Sequence, residues 1–250
     1  MGSYFDYSGA PVPIRDDLAE AHERAWEGLR APGNWWTGAE RIDIAAETRN
    51  ALDCAYCRER RQALSPTAID GTHDRTATHL PGAAVDLVHR IVTDASRLSD
   101  AFRRELESDG ISEGHYVELL GVVVATFSID EVHRALGLPL APLPAALAGE
   151  PSQIRPIGAA PGPGWVSILS LEAARDGENA DLYGGLPVAP NVISAMSLVP
   201  DAVRRLKELS KAHYVPMLRV MDPSADGRAL TRPQIELVAG RVSALNECFY

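Results

Sequence analysis

The chain has 250 residues, of which 46% are hydrophobic and 23% charged, a composition that is typical of a globular protein and excludes collagen and coiled-coil arrays. Its 34 acidic and 24 basic side chains give a net charge of −10, which disfavours nucleic acid and anionic membranes as partners. The longest mainly apolar run, Leu119 to Phe127, has about half of the ~20 residues that cross a bilayer, and the N-terminus lacks a leader pattern, so we expect a cytoplasmic protein.

Apolar positions recur every three or four residues through the first 138 residues, which predicts helices and no strand there. We place six helices at 16–30, 38–52, 54–64, 81–93, 97–107 and from 112 onward. Thr37 and Glu40 form a capping box before the second helix, and Asp53 is expected to cap the third. Ser112 opens the most apolar helix, which is expected to be central and buried on nearly all sides.

The middle of the chain is rich in proline, with seven of the 18 prolines between positions 139 and 163. Regular structure is expected to break down there. Helical periodicity returns near residue 190, and a last helix is predicted over 230–246. The sequence therefore predicts an all-α chain in three parts. They are a helical domain over 1–138, a linker over 139–189 and an incomplete second copy of the helical domain over 190–250.

An internal repeat supports the second copy. TGAERIDIAAETRNALDCAYC and TRPQIELVAGRVSALNECFY correspond without a gap when Cys54 is set on Cys248, an offset of 194 residues. Both begin with a capping threonine and carry an acidic residue before Cys-x-Tyr, which indicates a duplicated domain. The second copy ends at Tyr250, before the partner cysteine of the first. There are three explanations: the sequence is a fragment, the reading frame ends early, or a UGA codon that encodes selenocysteine at the position of the partner cysteine is read as a stop.

The strongest chemical signal is the Cys-x-x-Cys motif at Cys54 and Cys57. Two thiols one helical turn apart can close to a disulfide, and the amides and dipole of a helix start stabilise the thiolate of Cys54. The arginines downstream, Arg58, Arg60 and Arg61, add positive potential. The alternative is a pair of ordinary buried cysteines in a helical core. A zinc site needs four ligands and the motif supplies two, so the sequence predicts no metal and no cofactor.

Three segments resemble the carboxymuconolactone decarboxylase superfamily, in particular its alkylhydroperoxidase D-like members: ERIDIAAETRNALDCAYC, YVELLGVVVATFSIDEVHRALGLP and LTRPQIELVAGRVSALNECFY. Together they cover about a quarter of the chain. The resemblance implies an all-helical, usually oligomeric bundle. It also implies a cysteine pair that reduces hydroperoxides and is re-reduced by a dithiol donor of protein or lipoyl type. A glutamate on the preceding helix and a histidine after the motif would relay protons.

Neither copy carries this relay complete. In the first copy, Ile42 stands at the glutamate position and Arg61 at the histidine position. In the second copy, Glu236 stands 12 residues before Cys248, but the partner cysteine and the histidine are missing. Other residues therefore have to take the place of the missing glutamate and histidine.

Two carboxylates of the first domain are candidate substitutes. Glu47 lies seven residues before Cys54, about two helical turns. Glu118 lies in the apolar central helix, where burial raises the pKa of an unpaired carboxylate and suits it to shuttle protons. The alternative for Glu118 is a structural ion pair with Arg49 or another arginine.

Several ring side chains are further candidates. Tyr56 either donates a hydrogen bond at the thiols or packs, and His115 either orients Glu118 or lies in solvent. His73 and His79 flank a polar loop and either reach the thiols or are solvated. The candidate site residues are therefore Cys54, Cys57, Glu47, Glu118, Tyr56, Arg61 and His115, with Glu236 and Cys248 in the second copy.

Two functions of different classes follow. The first is a thiol oxidoreductase in which Cys54 and Cys57 cycle between dithiol and disulfide while a hydroperoxide or another small oxidant is reduced. The resemblance assigns peroxide attack to Cys57 and exchange with the reductant to Cys54, in a homo-oligomer. The second is a scaffold with reduced catalysis that serves as an interaction module or a redox sensor, which Ile42 and Arg61 favour. Decarboxylase chemistry without thiols is weaker, since it has no need of the cysteine pair.

Overall fold

Ten α-helices and two short β-strands form the part of the chain that a computed structural model describes, residues 3–175, 177–220, 222, 224, 229–246 and 248. The helices are α1 (Asp16–Arg30), α2 (Gly38–Asn50), α3 (Ala55–Gln62), α4 (Gly82–Asp94), α5 (Asp100–Ser108), α6 (Glu113–Ala135), α7 (Leu171–Arg175), α8 (Asn191–Ser194), α9 (Pro200–His213) and α10 (Arg232–Leu245). Strands β1 (Ala160–Pro161) and β2 (Ser167–Ile168) pair antiparallel. The predicted all-α class is confirmed, whereas the alkylhydroperoxidase D-like bundle stays a prediction.

The predicted helix starts lie within two residues of the observed ones except at α5, and the predicted cap differs at α3. The Thr37–Glu40 capping box forms, and the Ser112 hydroxyl accepts the His115 amide at the start of α6. At α3 the expectation of Asp53 as the cap was wrong. The N-cap residue is Cys54, whose carbonyl accepts the Arg58 amide at 3.2 Å.

Helix α5 also begins later than predicted. Residues 95–97 form a 3-10 turn instead of the first helical turn, and the Ser99 hydroxyl accepts the Phe102 amide. The side-chain cap fixes the start at Asp100 because it satisfies an amide that has no partner within the helix.

Helix α6 lies at the centre of the fold and packs against α1, α2, α4 and α9. Leu119 and Ile129 of this helix are fully buried, as the apolar sequence predicts. Leu209 and Ala212 of α9 belong to the same hydrophobic cluster as Trp26 of α1. The predicted division into three parts stays a prediction, although α9 shares this core. Across the described residues, no helix combines the length and apolarity that a bilayer span requires.

Helix α10 repeats the start of α2. Thr231 and Gln234 form the capping box that the internal repeat predicts. Most of its large apolar side chains are exposed, with Leu237 at 75% and Val238 at 58%, whereas Ile235 is half-buried. The Arg232 guanidinium joins the helix to the preceding segment by donating to the Arg219 and Val220 carbonyls.

Candidate functional site: a dithiol between two histidines

The two cysteines lie at the N-terminal end of α3. Cys54 is the N-cap residue and Cys57 lies in the first turn, so the Cys54 sulfur is near an amide that a helix start leaves free, that of Cys57. Both residues are buried, with 1% and 4% of their surface exposed. Both are free thiols. The predicted motif therefore has the predicted local setting, although it is covered by other parts of the chain.

Two histidines from other segments approach the sulfurs. His73, in the loop between α3 and α4, has its Nδ1 atom 3.4 Å from Cys57 Sγ and 3.6 Å from Cys54 Sγ. His89, in α4, has its Nδ1 atom 3.2 Å from Cys57 Sγ. Their ring centroids are 4.1 Å apart. The structure thus brings His73 to the thiols, one of the two alternatives for this residue, and adds His89.

A carboxylate holds the far nitrogen of each imidazole. His89 Nε2 lies 2.8 Å from Glu47 Oε2, and His73 Nε2 lies 2.9 Å from Asp86 Oδ1. Glu47 and His89 are fully buried. Asp86 also contacts Arg60 at 3.1 Å. Each imidazole is therefore oriented so that Nδ1 faces sulfur.

Carboxylates of α2 fasten the loop that carries His73. Glu47 Oε1 accepts the amides of Thr76 and Ala77, and Asp43 Oδ2 accepts the amides of Thr78 and His79. Four consecutive amides outside any helix or strand thus bond to two side chains that lie one turn apart. This fixes the end of the loop and, with it, the position of His73.

The charges of the site follow from these contacts. Burial would raise the pKa of Glu47, but the hydrogen bonds from His89, Ala77, Asn50 and Thr76 lower it to about 2. Burial lowers the pKa of His89, which makes it a neutral imidazole. Since a carboxylate only accepts, the proton of neutral His89 is on Nε2, and Nδ1 presents a lone pair to Cys57.

The other imidazole has the opposite charge state. Burial opposes the charge on His73, but Asp86 and the two cysteines raise its pKa to about 10. Burial also raises the pKa of Cys54, yet the amides of Cys57 and Asp74 and the His73 ring outweigh it and lower that pKa. The His73 ring and these amides thus favour the thiolate form of Cys54.

A cavity of about 420 Å³ lies outside the site, and His73, Tyr56 and Asp86 are in its wall. The Tyr56 ring packs edge-on against His73, and its hydroxyl donates to the Ile69 carbonyl. Gly71 leaves room for this ring, because a Cβ there would lie 2.6 Å from Tyr56 Cδ2. Tyr56 thus packs over His73, and the side chain of His73 contacts both the cavity and the sulfurs.

Glu118 and His115 lie in other surroundings. Glu118 Oε1 is 3.4 Å from Arg41 Nε, and the pair lines a separate cavity of about 610 Å³. Burial raises the pKa of Glu118 despite Arg41. The His115 ring contacts Ser112 and the two neighbouring tryptophans, Trp35 and Trp36. The structure therefore assigns Glu118 the ion-pair alternative, with Arg41 instead of Arg49.

The remaining candidates do not reach the thiols through any described contact. Arg61 is exposed, and its carbonyl accepts a hydrogen bond from Arg97. Glu236 bonds with Arg232 and Tyr214 at the start of α10, and Cys248 is exposed after that helix. The continuation of the second copy at 247, 249 and 250 lies outside the described residues.

The sequence reasoning missed His89 and Asp86. A signal for His89 exists: it follows Ala84, Val85 and Val88 on the buried face of α4, where the periodicity favours an apolar residue. A histidine there needs polar partners. The sequence did not reveal which partners they are, because Glu47 lies 42 residues away.

Two sulfurs and two imidazole nitrogens converge in this site. The ligand atoms of Cys54, Cys57, His73 and His89 all lie within 4.8 Å of one another. The Cys-x-x-Cys motif contains only two metal ligands, which is why the sequence predicted no metal, whereas folding supplies two more. Comparison with known proteins gives no identification, since no family model, no curated protein and no solved structure matches the chain.

Proposed function

We propose that the protein is a thiol oxidoreductase whose Cys54–Cys57 pair reduces a hydroperoxide. The observation that carries the proposal is the buried chain from Glu47 through His89 to Cys57, with contacts of 2.8 and 3.2 Å. A carboxylate that orients an imidazole beside a thiol is the arrangement that activates nucleophilic cysteines. It takes over the role of the glutamate and histidine that Ile42 and Arg61 replace in the sequence.

The reaction runs in two steps. The Cys57 thiol gives its proton to His89 Nδ1 as its sulfur attacks the peroxide oxygen. The O–O bond breaks, and the departing alkoxide takes that proton to become an alcohol. Cys57 is then a sulfenic acid, and the Cys54 sulfur displaces water from it to close the disulfide. The hydroperoxide gains two electrons and the thiols lose two. A small or protein-bound dithiol, of the lipoyl kind for example, reduces the disulfide again by exchange. We further propose that the protein is a cytoplasmic homo-oligomer that has no membrane or nucleic-acid partner.

This function is tested by a peroxidase assay on reduced protein from which metal has been removed. Hydroperoxide loss is followed with cumene hydroperoxide and a dithiol reductant, and the disulfide is detected by mass spectrometry. We expect no turnover from Cys57→Ser and one oxidation without turnover from Cys54→Ser. Cys248→Ser is the matched control and should behave as the parent. A Cys57→Ser variant that consumes hydroperoxide as fast as the parent would refute the proposal.

A redox sensor is the second candidate, and the burial of both sulfurs favours it. His73 and Tyr56 lie between the pair and the cavity, so an oxidant that enters from this cavity reaches the sulfurs when these rings move. A sensor forms the disulfide once per chain and exchanges slowly with the reductant. The same assay separates the two, because an enzyme consumes many equivalents of hydroperoxide and a sensor consumes one.

A further inference from the structure

We propose that the reduced protein binds one Zn²⁺ ion through Cys54 Sγ, Cys57 Sγ, His73 Nδ1 and His89 Nδ1. The four atoms come from the start of α3, from the following loop and from α4, so the ion would join three separate segments. The inference uses the reduced thiols of the site and does not depend on peroxide turnover.

The distances between the donor atoms fit a zinc tetrahedron. With Zn–S of about 2.3 Å and Zn–N of about 2.05 Å, tetrahedral angles give a sulfur–nitrogen edge of about 3.5 Å. Three of the four sulfur–nitrogen distances in the structure are 3.2, 3.4 and 3.6 Å, and the fourth, between Cys54 Sγ and His89 Nδ1, is within 4.8 Å. The side chains therefore need only small shifts to enclose an ion.

The carboxylates that bond to the two histidines also fit a zinc site. Histidines that bind zinc usually donate their other N–H to a carboxylate, which fixes the ring and makes the coordinating nitrogen more basic. Both imidazoles have this partner: Glu47 for His89, at 2.8 Å, and Asp86 for His73, at 2.9 Å. Two independent carboxylate–histidine pairs that aim Nδ1 at Cys57 Sγ, one of them also at Cys54 Sγ, are more than a lone buried Cys pair requires.

Burial and charge select the kind of ion. Two thiolates and two imidazoles form the soft, tetrahedral donor set that zinc prefers. Zn²⁺ would displace the proton that His73 otherwise carries on Nδ1, and its charge then sums to zero with the two thiolates. Four protein donors with little exposed surface fill the coordination sphere, which is the pattern of a structural zinc site. Zinc and a Cys54–Cys57 disulfide exclude each other because both use the same two sulfur atoms.

The test is a titration of the full chain after reduction and removal of metal with a chelator. Zn²⁺ is added in competition with a chromophoric chelator, and Co²⁺ is added in a separate titration. We expect one ion per chain, a Kd of about 1 nM or tighter, and thiolate-to-cobalt charge-transfer absorption. Zinc-edge X-ray absorption should give two sulfur and two nitrogen neighbours. A chain that takes up no Zn²⁺, or Co²⁺ without thiolate absorption, overturns the inference.

Histidine variants locate the ion. His73→Gln and His89→Gln should each weaken zinc binding by at least about 100-fold, more than loss of an outer partner does. The matched control is His79→Gln on the same loop, where the ring is exposed and contacts Asp43. If the His89→Gln variant loses its helical circular dichroism, the zinc affinity of the His73→Gln variant alone tests the assignment. Equal losses for His73→Gln and His79→Gln overturn the assignment. Hydroperoxide reduction in a chain that binds no zinc would refute this inference alone, and zinc binding without reduction would refute only the proposed enzyme.

Discussion

Replacing Glu47 with glutamine tests how the site is held together, because the change removes a charge without changing the size of the side chain. Every atom that Glu47 bonds is a donor: the amides of Thr76 and Ala77, the Thr76 hydroxyl, Asn50 Nδ2 and His89 Nε2. A glutamine must point its NH₂ group at some of them. We expect the NH₂ group to face Asn50 and His89, because the Asn50 amide can flip to present its oxygen and the His89 imidazole can move its proton to Nδ1.

The expected cost follows from the bonds that change. A hydrogen bond to a charged group contributes about 1.5 to 3 kcal/mol, and a buried donor left without a partner costs about 1 to 3 kcal/mol. We expect Glu47→Gln to lower the free energy of unfolding by about 2 to 4 kcal/mol. For a chain of this size, that corresponds to a fall in Tm of about 5 to 15 °C. Urea unfolding of reduced, metal-free protein measures it without a contribution from bound metal.

The matched control for this measurement is Asp43→Asn. Asp43 lies one turn before Glu47 on α2 and binds the next two amides of the same loop, but 16% of its side chain is exposed. Solvent can replace its bonds, so we expect a loss of about 1 kcal/mol or less. A Glu47→Gln variant as stable as the parent, or no less stable than Asp43→Asn, would show that the buried carboxylate does not anchor the loop.

Three further predictions concern other parts of the fold. Gly38 and Gly82 are each the first residue of a helix, but a Cβ at Gly38 would lie 2.4 Å from the Arg30 carbonyl oxygen, whereas at Gly82 nothing lies within 4 Å. Gly38→Ala should therefore cost about 2 kcal/mol in chemical denaturation and Gly82→Ala about zero, and equal effects would contradict the packing argument. Burial lowers the pKa of His22 to about 3, so the folded state binds fewer protons than the unfolded state, whose His pKa is about 6.5. The free energy of unfolding therefore falls as the pH drops from about 6.5 toward 3, and we expect a loss of about 2 kcal/mol between pH 7 and pH 5. Urea unfolding at these two pH values measures it, and the His22→Gln variant should lack this loss. Glu118→Gln leaves the Arg41 charge buried without this counter-ion and should lower the free energy of unfolding by about 3 kcal/mol. The thiols of this variant should react with hydroperoxide at the parental rate, and a slower reaction would indicate that Glu118 takes part in proton transfer.

The sequence predicted the helices well and the site only in part, for physical reasons that differ. Capping boxes and apolar spacing are local, so the starts of α2, α6 and α10 could be read from a few neighbouring residues. The cysteine pair could be predicted for the same reason. The approach of the imidazoles could not be predicted, because that of His73 depends on where a loop without periodicity is fastened and that of His89 on how α4 packs against α2. The 3-10 turn before α5 and the cap at Cys54 also depend on backbone geometry that side-chain type does not determine.

The remaining candidates show how residue type alone misleads. Glu118 has the burial and the raised pKa that the sequence predicted, yet it lies with Arg41 beside another cavity. Glu47 has the position two turns before Cys54, but its helix ends at Asn50 and it reaches the thiols through His89. Both carboxylates fit the argument from the sequence, and only the three-dimensional contacts distinguish them.

The four amides that Glu47 and Asp43 hold have a consequence for how this loop exchanges hydrogen with water. Amides outside helices and strands normally exchange deuterium within seconds, yet positions 76 to 79 each bond to a carboxylate. These positions should be slow to label only while the loop is docked on α2, so their labelling rate measures how often the loop detaches. If His73 leaves the sulfurs only when the loop detaches, that rate also sets the upper limit on how fast an oxidant can enter.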